Sequence, residues 1–229
     1  LMLHPPLVPT RTGWLETSDG HRLYWEDSGA PDGTPVVMLH GGPGGATGDV
    51  SRRWFHSRHH RIITTDQRGC GRSTPFAATT GNTTAHLVAD LEQLREALGV
   101  DTWMLCGGSW GATLALAYAE AHPHRVRALL LHAVFTATAA EFDWLYGGGA
   151  ASCAPEAWAA FAHGRTTRAH VLNWYAHELA DADAARVDAA AGAWCRWEDT
   201  LASDDGALSP RDLTTERSRA LLGVHYARH

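Results

Sequence analysis

Three short apolar runs in the first half of the chain each stop at a cluster of glycines, and no other feature narrows its possible folds so far. Pro35 to His40 (PVVMLH) runs into GGPGG, Arg61 to Asp66 (RIITTD) into QRGCGRS, and Asp101 to Cys106 (DTWMLC) into GGSWG. Runs this short and aliphatic predict strands buried on both faces. Helical patterns alternate with them. Leu87, Leu91, Leu94 and Leu98 fall at offsets 0, 4, 7 and 11 in residues 84–98, with Asn82 or Thr83 as N-cap and Gly99 just past the end. A helix over 112–121 and a buried strand over 126–135 follow. Strand, helix, strand, helix, strand at this spacing predicts right-handed crossovers and an α/β architecture with a mainly parallel sheet covered on both faces. Residues 12–28 add an antiparallel hairpin around Ser18, Asp19 and Gly20.

After Phe135 the texture changes. Ala dominates, Trp recurs at 144, 158, 174, 194 and 197, and no further run of β-branched residues occurs. Helices are expected over 141–146, 155–163, 167–179, 183–201 and 210–222, broken at glycines 147–149, at Gly164 and at Asp204-Asp205-Gly206. The expected organisation is an α/β core over 1–135 and an all-helical region over 136–229. Most of the Trp and Ala positions read as a packed helical layer.

Composition excludes several classes of protein. With 45% hydrophobic and 19% charged residues, the chain falls outside the disordered range. Its 19 basic residues, all Arg, face 25 acidic ones, and the net charge of −6 leaves no basic footprint for nucleic acid or an anionic membrane. The longest apolar stretches fall well short of a membrane span of roughly 20 residues, and the first residues lack the pattern of a secretory signal, so the cytoplasm is the expected compartment. Cys70, Cys106, Cys153 and Cys195 form no C-x-x-C pair and read as free thiols, with no metal or cofactor implied. His56, His59 and His60 lack an acid or cysteine set at metal spacing, and read as part of a basic surface helix.

The segment from Gly107 to Gly111 fits G-x-S-x-G between a strand and a helix. A serine on so sharp a turn is pushed out above the sheet, and small flanking residues let the turn form, so Ser109 is the candidate nucleophile. His40 to Gly45 (HGGPGG) ends an earlier strand, where such folds place the second donor of an oxyanion hole. Backbone N–H groups of Gly42 and Trp110 would then face the oxygen that becomes negative when Ser109 attacks a carbonyl. The loop matches no nucleotide-binding pattern, and Pro43 removes one donor.

HGGPGG at 40–45, DQRGCGRSTP at 66–75, NTTAHLVADLEQLREALGV at 82–100 and GGSWGATLALAYAEAHP at 107–123 together resemble proline iminopeptidases. The resemblance is close over about residues 13–135. It thins beyond them, where AWCRWED at 193–199 looks like the family's Trp-x-x-Trp-Glu segment. It implies an α/β-hydrolase fold with a helical cap, and a cofactor-free serine peptidase that removes N-terminal proline from small peptides. Ser109 would be the nucleophile, Gly42 and Trp110 the oxyanion donors, and Glu198, between Trp194 and Trp197, a carboxylate holding the substrate's amine. Asp66, Gln67, Arg68 and Arg72 would organise the loop beside the active site.

Two positions depart from the family. Gly223 stands where the family carries a second amine-binding glutamate just before His-Tyr. The triad acid and histidine, which in this fold follow later strands, have no convincing candidates among Asp143, Asp181, Asp183, Asp188, Asp199, Asp212, His163, His170, His177, His225 and His229. The expectation is that the C-terminal part of the core is absent from this chain. An esterase or amidase of the same fold, or a ligand-binding protein without turnover, are the alternatives.

Overall fold

Val36 to Leu39 can be apolar on both sides because they form the inner part of a central strand. In the computed structural model, which describes residues 3–202 and 212–229, six strands make one sheet: β1 (Arg11–Glu16), β2 (Arg22–Gly29), β3 (Thr34–Leu39), β4 (His60–Thr65), β5 (Trp103–Ser109) and β6 (Val126–Val134), in the order β1-β2-β4-β3-β5-β6. β1 pairs antiparallel with β2 and β2 with β4, whereas β3 pairs parallel with β4 and β5, and β5 with β6. The sheet is mixed and mostly parallel, as the strand-helix alternation predicts. The chain divides into two compact units, Leu1–Thr136 and Ala137–His229.

In the first unit, Val36, Met38, Ile62 and Cys106 share one face of the sheet with Phe55. On the other, Leu23 meets Leu87, Leu91 and Leu94 of helix α1 (Thr84–Ala97) and Leu114 of helix α2 (Trp110–Ala121). Each such side chain contributes roughly 1.5–3 kcal/mol by leaving water. Helix α1 starts where the Thr83 side chain accepts the N–H of His86, and ends at Gly99, whose φ of +65° suits a residue without a Cβ. The HSRHH segment corrects one expectation. Residues 56–59 form a turn and His60 already begins β4, because the N–H groups of His59 and His60 both reach back to the His56 carbonyl.

Arginine suits the buried ion pairs of this unit because its planar fork can meet a carboxylate with two hydrogen bonds. Arg68 donates to both oxygens of Asp90, 2.6 and 2.7 Å away, and its remaining nitrogen reaches Asp19 and the Gly81 carbonyl. On α1, Glu92 takes two bonds from Arg95 and one from the Tyr118 hydroxyl at 2.6 Å. The Arg95 hydrogen bonds, opposed by partial burial, hold the Glu92 carboxyl at about 2 against an ordinary 4.5. A depressed folded-state value means that the stability this group contributes is complete above about pH 4.5 and drains away as pH falls toward 2. We expect Glu92→Gln to flatten the fall in urea midpoint across that window. A slope identical to that of the wild type would refute the assignment.

The second unit is helical: α3 (Ala139–Tyr146), α4 (Pro155–Ala162), α5 (Arg168–Glu178), α6 (Ala184–Ala202) and α7 (Leu213–Arg228). Local signals fix its starts. Thr138 and Glu141 close a capping box on α3, Pro155 opens α4, and Thr167 and Asp212 cap α5 and α7. Tyr146, Phe161, Tyr175, Trp194 and Trp197 form an aromatic core, with the rings of Phe161 and Trp197 stacked 5.2 Å apart. The last helix runs to Arg228, six residues beyond its predicted end. Its predicted first residues, 210 and 211, and the break at 204–206 lie outside the described residues. Among the described residues, no helix is long and apolar enough to cross a membrane.

Candidate active site

The turn from β5 into α2 puts Ser109 at φ 54° and ψ −125°, a conformation that side chains other than hydrogen rarely adopt. Its neighbours are glycines for steric reasons. A Cβ on Gly107 would lie 2.3 Å from the Gly111 carbonyl oxygen, and one on Gly111 would lie 2.2 Å from that of Leu39. These are backbone atoms that cannot swing aside, so the elbow closes only over bare Cα atoms. Ser109 is thereby left exposed at the end of β5.

The glycine loop after β3 lies against this elbow. A Cβ on Gly41 would be 3.1 Å from the Gly108 carbonyl oxygen and 3.5 Å from the Ser109 Cβ, and Gly42 takes a φ of +120°. One side chain ties the two loops together. The Gln67 carboxamide donates to the His40 carbonyl at 2.9 Å and accepts the Trp110 indole N–H at 2.9 Å, while the Gln67 backbone N–H donates to His40 Nε2 at 3.0 Å. His40 Nε2 is thus an acceptor, and Nδ1 carries the hydrogen that goes to the Gly41 carbonyl at 2.9 Å. Burial lowers the pKa of His40 and favours this neutral ring, against the backbone contact with Gly41.

The segment around Asp66 is the scaffold. Asp66 Oδ1 accepts from the backbone N–H and hydroxyl of Thr47, and Oδ2 from the backbone and side chain of Arg72. Burial alone would raise this carboxyl, but the hydrogen bonds from Arg72 and Thr47 prevail and its pKa falls. Two buried thiols of this unit are held inactive. Burial pushes the thiols of Cys70 and Cys106 up to about 12 and about 11, so both stay protonated. A cavity of about 280 Å³ opens beside the two loops, with Gly41 and Gly108 on its wall and with Trp54 and His132, whose tilted rings lie 4.6 Å apart, also lining it. Among the described residues, no histidine or carboxylate hydrogen-bonds the Ser109 hydroxyl, and every strand lies at or before β6.

Glu198 lies on α6 in the second unit. Its Oε1 accepts from the Tyr146 hydroxyl at 3.2 Å, and its Oε2 stands 3.0 Å from Arg219 Nε on α7. Burial pushes this carboxyl up, opposed by the nearby Arg219 cation. Trp194 and Trp197 are core residues, 0% and 1% exposed, and Trp197 donates its N–H to the Leu145 carbonyl at 3.0 Å. They pack the interior of the second unit beside Glu198. A Cβ on Gly223 would lie 2.7 Å from Trp194 Nε1, so the indole occupies the space a side chain would need there. The Arg219 partnership is not legible in the sequence, since it lies 21 positions from Glu198 and on a different helix.

Residues 34–154 match the model of the α/β hydrolase fold. A proline iminopeptidase of Neisseria meningitidis is 41% identical over 221 residues, which cover 95% of this chain and 71% of the relative. The chain belongs to the proline iminopeptidase family of α/β hydrolases. A family member from Arabidopsis thaliana is 47% identical over 199 residues, 86% of this chain and 52% of its own length. The crystal structure of a proline iminopeptidase-related protein from Thermus thermophilus superimposes with a TM-score of 0.53 at 31% identity, over 62% of this chain and 50% of that one. The chain therefore spans between about half and seven-tenths of the length of these relatives.

Proposed function

We propose that this chain carries the nucleophile of a serine aminopeptidase that releases an N-terminal proline from small peptides. The observation that carries the reading is the strained Ser109, held at φ 54° over two glycines that admit no side chain. A serine in that conformation is a poor choice for stability alone. The 41–47% identity to relatives named proline iminopeptidase supports the choice of substrate.

In the proposed reaction Ser109 Oγ bonds to the prolyl carbonyl carbon, giving its proton to a base, and the oxyanion is met by the N–H groups of Gly42 and Trp110. The C–N bond then breaks, the shortened peptide leaves as an amine with that proton, and water hydrolyses the prolyl ester on Ser109. Glu198 is assigned to the substrate's amine. The negative net charge agrees with small, uncharged or cationic peptides over polyanionic partners.

The protein is expected to release p-nitroaniline from L-proline p-nitroanilide. It should hydrolyse the N-acetylated analogue more slowly, because acetylation blocks the ring nitrogen and adds bulk there. Its Ser109 should also react rapidly with a fluorophosphonate probe. A preference for the acetylated amide or for a simple aryl ester would refute the aminopeptidase reading, and absence of labelling would refute an activated serine.

A further inference from the structure

Helices α6 and α7 meet in a register that pairs Trp194 with Gly223 and Glu198 with Arg219. Each helix contributes positions i and i+4, which lie on one face. At the first pair the missing side chain of Gly223 lets the indole settle against α7. One turn along, Arg219 brings a guanidinium to Glu198 Oε2 at 3.0 Å and, through its other arm, to Asp199 Oδ1 at 3.1 Å. The group is well shielded, Glu198 and Arg219 being 15% and 18% exposed. Glu198 Oε2 is buried without an aligned hydrogen bond among the described residues, and the Trp194 indole bears on the same carboxyl. The guanidinium is thus shared between the carboxylates of Glu198 and Asp199.

We propose that Arg219 is the residue that sets the charge preference at Glu198, by standing where a ligand's protonated amine would otherwise stand. This rests on the assignment of Glu198 to the substrate amine. A secondary ammonium approaching Glu198 meets a carboxylate whose field is partly offset by a cation 3.0 Å away, shared with Asp199, in a shielded setting where both effects are large. It must displace a guanidinium that Asp199 also holds. An uncharged ring of the same size meets neither the full attraction nor the repulsion. Arg219 therefore lowers discrimination between charged and uncharged N-terminal rings. Its removal restores that discrimination.

The test compares L-prolinamide, protonated at its ring nitrogen, with L-pyroglutamide, whose lactam nitrogen is neutral, by NMR titration of the 229-residue chain. In Arg219→Gln the ratio of affinities is expected to shift at least tenfold toward prolinamide, whereas Arg219→Lys, which keeps the charge, should stay within about twofold of wild type. An unchanged ratio in Arg219→Gln with binding intact would overturn the proposal and leave the amine assignment standing. An equal rise in Gln and Lys variants would also overturn it, since bulk and not charge would then be at work. Binding of prolinamide by neither wild type nor Arg219→Gln would overturn both the proposal and the assignment beneath it. The wild type gives an answer without any variant: saturating prolinamide should move the Arg219 Nε–H resonance and pyroglutamide should not. A resonance unmoved by bound prolinamide defeats the proposal even if Arg219→Gln fails to fold.

Discussion

Ser109→Gly is expected to abolish turnover and at the same time make the protein harder to unfold. Losing the hydroxyl removes the atom that forms the acyl-enzyme in the proposed reaction, and nucleophile deletions of this kind lower kcat by about 10⁴-fold or more. The gain in stability comes from the backbone. At φ 54° and ψ −125° the Ser109 Cβ is crowded, and such strain costs on the order of 1–3 kcal/mol, part of which glycine gives back through its greater freedom when unfolded. Ser109→Ala separates the two effects, since it lacks the hydroxyl but keeps the Cβ. Both variants should lose p-nitroaniline release, while only the glycine should raise the urea-derived stability, by about 1 kcal/mol over the alanine. Retained turnover in Ser109→Ala would remove Ser109 from the mechanism. Equal stability of the two variants would show that the elbow stores no strain at this residue.

The largest loss of stability is expected at Arg68, well away from the nucleophile. Arg68 and Asp90 are each 4% exposed and joined by two parallel hydrogen bonds, with Asp19 and the Gly81 carbonyl on the remaining nitrogen. Burial already pushes the Asp90 carboxyl up, against the pull of Arg68. Arg68→Met would strand that carboxylate in the interior of the first unit, a change that typically costs about 3–5 kcal/mol. Arg68→Met combined with Asp90→Leu should recover most of this, because an apolar pair of similar volume has no charge to desolvate. Urea unfolding of the two variants reads the difference. A double variant no more stable than the single one would mean that the loss comes from the contacts to Asp19 and Gly81.

What the sequence made legible follows from how local each signal is. The strands at 35–40, 61–66 and 101–106 could be read because a central strand must be apolar on both sides and must end where the chain turns, which glycine permits. The G-x-S-x-G turn is local too, and its glycines are required by clashes within a few residues or with the strand next door. The turn at 56–59 is hard to read because its only turn-favouring residue is Ser57, set among histidines and an arginine. What sets it is the His56 carbonyl, which the side-chain pattern does not reveal. The Arg219 partnership could not be read at all, since an ion pair between two helices depends on their register. That register is fixed in part by Gly223, whose bare Cα admits Trp194.

The Gln67 bridge has a consequence for how rates should vary with acidity. A carboxamide gains and loses no proton between mildly acid and mildly alkaline solution, and its partners are a carbonyl, an indole N–H and an imidazole that burial keeps neutral. A glutamate in its place would have made the tie between the two loops titrate. As built, the tie itself does not titrate across that range, so on the proposed reading the limbs of a pH–rate profile should belong to the groups that carry protons to and from the substrate and not to a scaffold that loosens.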